Sequence, residues 1–425
     1  MITRRLFVAG AAFAIATAAA AAPNSPPQPP TPVLADPTEQ RAPVLVLVSI
    51  DGFRPDYLDR GITPNLSALA ASGVSGPMTP AFPSKTFPNH YSLVTGLRPD
   101  RHGIVDNDME DPRRPGVIFK IDEPKQALDP FWWNEAEPIW ITAEKAGVKT
   151  ATMFWPGAEV AFDGHRPSAW ARFDANVTNA QRVETVMDWM RRPAPIRPRF
   201  VTLYFDAVDH EAHHHGVHSQ ETDHAIADVD ARIGDLVREL AALRQPADIV
   251  IVSDHGMADL SPQRVIRIDR MVPRPALHMV VDVSPYAAFD AAPGRRRAAE
   301  KLLGHHPHMD CWRKSDIPAR LDYGRNPRVP DYFCLAETGW IVASKDPGDK
   351  MLMADHGYDN REPEMRATFI AAGPDFRRGV RIGAFDNLDV YPLLARILGV
   401  APRANEGDAT LIDGAMAPAG GKNGE

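Results

Sequence analysis

Cysteine is almost missing from this 425-residue chain: only Cys311 and Cys334 occur. Neither sits in a CxxC or knuckle spacing, which argues against a cysteine-built metal site. In an oxidising compartment the two are expected to form a disulfide. An excess of positive charge is missing as well: 47 Lys and Arg face 55 Asp and Glu, for a net charge of −8. With no basic run, no stable nucleic-acid partner is expected. Anionic substrates stay within reach if metal ions bring local positive charge. No internal repeat is visible, and no apolar run suits a transmembrane span. The apolar stretch in residues 1–22 is too short and too rich in small side chains. With Arg4 and Arg5 ahead of it and an Ala-rich stretch before Pro23, it reads as a signal peptide, by the Sec or the twin-arginine route. An exported protein, periplasmic or secreted, is therefore expected, with no transmembrane segment after signal removal.

What the chain does have is a composition for a large core, 44% hydrophobic and 24% charged. Residues 23–43 are Pro-rich without apolar period and read as an exposed, largely disordered linker. From Val44 short apolar runs alternate with amphipathic segments. Buried strands are expected at Val44–Ile50, Thr150–Trp155, Phe200–Phe205, Asp248–Ser253 and Ala367–Ala372. Pro64 starts a helix that ends at Gly73. Helical spacing marks two more, through Val183, Val186, Met187 and Met190 and through Ile226, Val229, Ile233, Leu236 and Leu240. Alternating β and α implies an α/β fold, a mostly parallel doubly wound sheet with helices on both faces. The stretch 259–355 breaks the rhythm and reads as an inserted smaller subdomain. The catalytic domain would then be 44–258 and 356–415.

In such sheets ligands bind beyond the carboxyl ends of the strands. Ile50 runs into Asp51, Phe205 into Asp206 and Asp209, and Ser253 into Asp254 and His255. One strand-end aspartate is an ordinary turn former; three on one edge, with histidines attached, form a candidate metal centre. Asp209 and His213 are spaced to share a helix face, and carboxylate with imidazole suits Zn²⁺. His210, His214, His215 and His218 crowd the same place and read as a solvated patch. Asp254 and His255 are neighbours at a strand end, so they point apart and would serve different metals, or one would stand behind the other. Thr86 opens an expected helix, where it is either a helix cap or a nucleophile, and the two roles are compatible. Asn107 reads as a turn residue or as an amide donor to a phosphoryl oxygen. His356 alone would be a structural histidine.

The segments SIDGFRPDYL, TPNLSALAASG, FPSKTFPNHYSLVTGLRPDRHGIVDN, EPIWITAEKAGVKTATMFWPG, YFDAVD, VSDHGM, HGYDN and DVYPLLARILGV resemble the nucleotide pyrophosphatase/phosphodiesterase family of the alkaline phosphatase superfamily. The resemblance implies an alkaline phosphatase-like fold and two Zn²⁺ per chain. One would be held by Asp209, His213 and His356, the other by Asp51, Thr86, Asp254 and His255. It makes Thr86 the nucleophile that carries a covalent nucleoside 5′-monophosphate, and Asn107 a phosphoryl-binding residue. Phe87 and Tyr204 would sandwich the base of a small-molecule phosphodiester, most simply a nucleotide. Alternatives on the same centre are a phospholipid or choline-phosphodiester hydrolase and a phosphomonoesterase; a metal-storing binding module is the non-enzymatic one. Three positions depart from the family pattern: Ala212 where glycine is usual, Phe173 where tyrosine is frequent, and Asp355 where a small or hydroxyl residue is frequent.

Overall fold

The computed structural model describes residues 39–348, 351–408 and 413–418. The signal peptide assigned to 1–22, most of the 23–43 linker, and residues 349–350 and 409–412 of the two later segments lie outside the described residues. The linker reading fails at its end. Arg41 is buried and donates to Met190 O and Gln245 Oε1, while Glu39 pairs with Arg197. Residues 39–43 thus belong to the fold.

The elements that position the site are, in chain order, β1 (Val44–Ile50), α1 (Pro64–Ser72), β2 (Val74–Thr79), α2 (Thr86–Thr95), α3 (Ile139–Lys145), β3 (Thr150–Met153), β4 (Ala169–Ala171), α4 (Asn179–Met190), β5 (Phe200–Phe205), α5 (Ala207–His215), α6 (Gln220–Ala242) and β6 (Ala247–Val252). A second group follows: β7 (Leu277–Val281), β8 (Tyr286–Ala291), β9 (Gly304–His306), β10 (Met309–Arg313) and β11 (Tyr332–Ala336). The chain then returns through β12 (Ala367–Ala372), β13 (Val380–Arg381), β14 (Phe385–Asp386) and α7 (Val390–Leu398).

The main sheet runs β13-β2-β12-β6-β1-β5-β3-β4, with β14 beside β2. Side chains alternate along β1, and each set meets its own layer of helices. Val44, Val46 and Val48 pack with Leu66, Val183, Val186 and Ile226 from α1, α4 and α6, while Leu45 and Leu47 pack with Tyr91, Ile139 and Leu394 from α2, α3 and α7. Helices therefore cover both faces. All pairings in this sheet are parallel except those of β12, which is antiparallel to both β6 and β2. The sheet is mixed, and β2, β4, β13 and β14 are not among the strands expected from sequence. The sequence of β2, VSGPMT, holds a Gly and a Pro and shows no apolar run to read.

The antiparallel strand has a consequence for function. It brings its amino-terminal approach, not its exit, to the edge where β1, β5 and β6 end. The register places Ile50 opposite Phe205 and Ser49 opposite Val252, so Asp51, Asp206 and Ser253 leave the sheet side by side. The second sheet, β7-β8-β11-β10-β9, lies within the 259–355 stretch. It shares a core with the first: Tyr286, Tyr323 and Phe333 pack in the same cluster as Leu45 and Leu47. Cys311 and Cys334 face each other across β10 and β11 and are joined by a disulfide.

Candidate active site

Each strand-end residue reaches the same buried centre for a local reason. Asp51 follows β1 and is held there by its N–H, which donates to Phe205 O at 2.9 Å. Gly52 turns the chain with φ +65° and lets α5 come close: a Cβ here would meet Cβ and Oδ1 of Asp209 at 3.1 Å. Its N–H donates to Asp254 Oδ1 at 3.3 Å. Asp209 and His213 share one face of α5, their Oδ2 and Nε2 3.4 Å apart. His356 arrives on the approach to β12, its Nε2 3.6 Å from Asp209 Oδ1. His255 Nε2 lies 2.9 Å from Asp254 Oδ2, 3.4 Å from Asp51 Oδ1 and 3.2 Å from Thr86 Oγ1. Asp254 and His255 thus converge on one centre with Asp51; adjacency at a strand end, which taken alone suggested that they point apart, does not separate them here. The chain bends after β6 and turns both side chains inward. His210, His214, His215 and His218 are exposed, as expected of a solvated patch.

Three observations fit this centre to divalent cations. The first is orphaned oxygen: Asp51 Oδ1, Asp209 Oδ1 and Asp254 Oδ2 are buried without a hydrogen-bond donor. The second is the histidine tautomer. His213, His255 and His356 each place Nδ1 against a main-chain carbonyl, of Ala354, Gly256 and Ser84 respectively, at 2.8–2.9 Å. Each Nδ1 therefore carries the proton, and each Nε2 lone pair is left for a ligand. The third is electrostatic. Burial, and then the charges of Asp254 and Asp209, push the Asp51 carboxyl well above its ordinary range. Burial would raise Asp254 as well; only protonated imidazoles at His255 and His90 would hold it below the carboxylate range, the place a cation takes when both rings are neutral. Acids this close repel, and a bound cation lets them ionise together. The groups Asp51–Asp254–His255 and Asp209–His255–His356 each have ligand atoms within 4.8 Å of one another. The two meet where the rings of His255 and His356 stack at 3.5 Å.

Thr86 is the first residue of α2. Lys85 occupies the cap position, so the hydroxyl caps nothing and is turned to His255 instead. Asn107 accepts the Phe87 N–H at 2.9 Å through Oδ1, which leaves its NH₂ as the donor. A cavity of about 360 Å³ opens beside Asp51, Thr86 and Asp209, lined by Phe87, Trp133, Trp155, Phe173 and Tyr204 among others. Tyr204 takes part differently from what the sequence suggests. It is 8% exposed, and its hydroxyl donates to Asp51 Oδ2 at 2.6 Å. Phe173, 44% exposed, offers the more open ring on that side, one edge packed on Phe154 at 5.1 Å.

Two supporting residues were not singled out from sequence. His90, one turn after Thr86 on α2, sets Nδ1 against Thr86 O at 2.9 Å and Nε2 against Ser49 Oγ at 2.8 Å. Its i, i+4 spacing from Thr86 was the available signal. Lys85 forms a buried 3.0 Å pair with Asp355, and the Asp355 carboxylate also accepts the His356 N–H. Of the positions that depart from the family pattern, Asp355 is therefore tied directly to the nucleophile segment.

The family model described as Type I phosphodiesterase / nucleotide pyrophosphatase matches residues 45–359. The chain is 35% identical over 376 residues to a bis(5′-adenosyl)-triphosphatase, enpp4, of Xenopus laevis, covering 88% of this chain and 81% of that one. It is 35% identical over 367 residues to human ectonucleotide pyrophosphatase/phosphodiesterase family member 5, covering 85% and 76%. Among solved structures, murine ectonucleotide pyrophosphatase/phosphodiesterase 5, an inactive threonine-to-alanine variant in complex with AMP, superposes with a TM-score of 0.84. The identity there is 33%, over 88% of this chain and 100% of that one. Matches of this extent, on a fold that brings these carboxylates and imidazoles to one edge, make the chain a member of the type I phosphodiesterase/nucleotide pyrophosphatase family, hydrolases of phosphodiester and pyrophosphate bonds.

Proposed function

We propose that the protein is an exported, zinc-dependent nucleotide pyrophosphatase/phosphodiesterase that releases nucleoside 5′-monophosphates through a phospho-threonine intermediate. The observation that carries the reading is the Thr86 hydroxyl at the head of α2, 3.2 Å from His255 Nε2 and open to an aromatic cavity. Asp209, His213 and His356 would hold one ion; Asp51, Asp254, His255 and Thr86 the other. Bound zinc would supply the positive charge that makes the hydroxyl ionisable near neutral pH and offsets charge on the phosphoryl oxygens.

This chain's own groups do the rest. The Thr86 N–H at the head of α2 and the Asn107 NH₂ donate to the non-bridging oxygens. Thr86 Oγ1 bonds to phosphorus as the bond to the leaving phosphate or alcohol breaks. Water then displaces Oγ1, and two in-line steps give net retention. The base lies in the aromatic cavity between Phe87 and Phe173, where stacking binds it remote from the reacting bond. AMP bound to the murine relative and the dinucleoside polyphosphate named for the Xenopus relative support a nucleotide ligand.

The test is a panel on zinc-reconstituted protein: nitrophenyl nucleotide, diadenosine triphosphate, nitrophenyl phosphate and nitrophenyl phosphorylcholine. Nucleotide diesters should be preferred, chelation should abolish turnover and zinc restore it. Thr86→Ala should be inactive and Thr86→Ser active. Preference for the choline ester would overturn the nucleotide reading, and an active Thr86→Ala variant would overturn the intermediate.

A further inference from the structure

Where the inserted sheet meets the catalytic edge, one of its side chains has chemistry that is out of place in a core. Tyr286, the first residue of β8, is fully buried, and its ring stacks on Phe333 at 4.8 Å. Its hydroxyl reaches out of that apolar packing and donates to Asp106 Oδ2. Asp106 is buried too, and its other oxygen, Oδ1, accepts the main-chain N–H of Asn107 at 2.7 Å. Asn107 in turn holds its side chain to the head of α2 through Phe87 N–H. A second tyrosine of the insertion, Tyr323, donates to Val105 O at 3.1 Å, one residue earlier.

The segment 105–107 has no strand or helix of its own here. Its place is set by these side-chain bonds, and two of them come from residues more than 170 positions later. We propose that Tyr286 is a positioning residue of the hydrolytic reaction, fixing the Asn107 amide against the phosphoryl group through the Asp106 carboxylate. The inserted sheet thereby becomes part of the catalytic apparatus. The physical reason is that Asp106 has two lone-pair directions committed to two donors, the Tyr286 O–H and the Asn107 N–H. If one donor is removed, the buried carboxylate turns to find another, and Asn107 turns with it. Lys85 lies 5.8 Å over the Tyr286 ring, close enough to attract a released carboxylate.

The proposal rests on the reading of Asn107 as a phosphoryl-binding residue, and a double-mutant cycle separates the two. Tyr286→Phe keeps the ring and deletes the donor; kcat/KM for nitrophenyl nucleotide should fall about tenfold, with zinc content unchanged. Asn107→Ala should cost about a hundredfold, the scale of one oxyanion donor. In the Asn107→Ala background Tyr286→Phe should change kcat/KM less than twofold, because its effect passes through Asn107. A full tenfold additive loss would make Tyr286 merely structural and overturn the proposal, as would an unaffected single variant. Should Tyr286→Phe fold poorly, Asp106→Asn, with one acceptor for two donors, should show the same non-additivity. An Asn107→Ala variant of undiminished turnover would overturn the reading of Asn107 itself.

Discussion

At the residue scale the site depends on which atom of a side chain faces which neighbour. Tyr204 illustrates this: its ring lines the cavity, but its hydroxyl belongs to Asp51. Truncation to alanine would therefore disturb base binding and metal binding together. Tyr204→Phe separates them. It removes a donor behind Asp51, a proposed metal ligand, so zinc affinity should drop about 10–100-fold while preference for a nucleotide over a base-free diester is kept. Phe173→Ala should do the reverse. Loss of a stacking face worth about 1–3 kcal/mol lowers kcat/KM on nitrophenyl nucleotide about tenfold or more, with zinc affinity intact. Zinc titration and the two-substrate ratio decide; loss of base preference in Tyr204→Phe would show that the hydroxyl itself contacts the nucleotide. The sequence revealed the residue types at this scale. It did not reveal the tautomers of His213, His255 and His356: the carbonyls that set those of His213 and His356 lie far along the chain, and that of His255, from the adjacent Gly256, depends on the bend after β6.

At the element scale the site is a junction of strand ends, one antiparallel strand and two helices. One close contact is between the turn after β1 and α5. Gly52→Ala places a Cβ at φ +65° and 3.1 Å from Asp209. The left-handed conformation alone costs about 1–2 kcal/mol. The contact also has to push α5 from the Asp51 turn, so zinc affinity should fall along with stability. Thermal melts and zinc titration of this variant check it, and a destabilised variant with unchanged zinc affinity would refute the link. Five of the main-sheet strands and three helices were legible as apolar runs and 3.6-residue spacing. The direction of β12 was not: an antiparallel strand buried on both faces carries the same composition as a parallel one.

For the whole molecule the buried charges couple stability to pH. Burial raises the Asp106 carboxyl to about 7, against the hydrogen bond from Tyr286 and the nearby Lys85 charge, with Asp108 adding to the rise. A carboxyl whose folded pKa exceeds its unfolded value stabilises the fold fully below the unfolded value. That contribution is lost as pH rises through about 7. The stability difference between wild type and Asp106→Asn should therefore shift against the wild type between pH 4 and 7, by at most about 1.4 kcal/mol per unit. Denaturant unfolding at pH 5 and pH 8 measures it, and a difference moving the other way would refute the assignment. Comparing two proteins that share one metal centre cancels the competition of protons and metal for the histidines.

Composition and hydrophobic period determined the α/β class and the strands that matter, because those are properties of residue type and local spacing; the strand-end residues Asp51, Asp209, Asp254 and His255 stood out as candidates in the same way, while the roles given to Thr86, His213 and above all His356 came from the family resemblance. The tertiary structure decided which of these meet. It set Asp254 and His255 on one centre, committed the Tyr204 hydroxyl to Asp51, exposed Phe173, and brought Tyr286 of the insertion to Asp106. The reason is that each of these depends on the direction of a side chain at a bend or on a contact between distant segments. Neither is encoded in the periodicity of the segment that carries it.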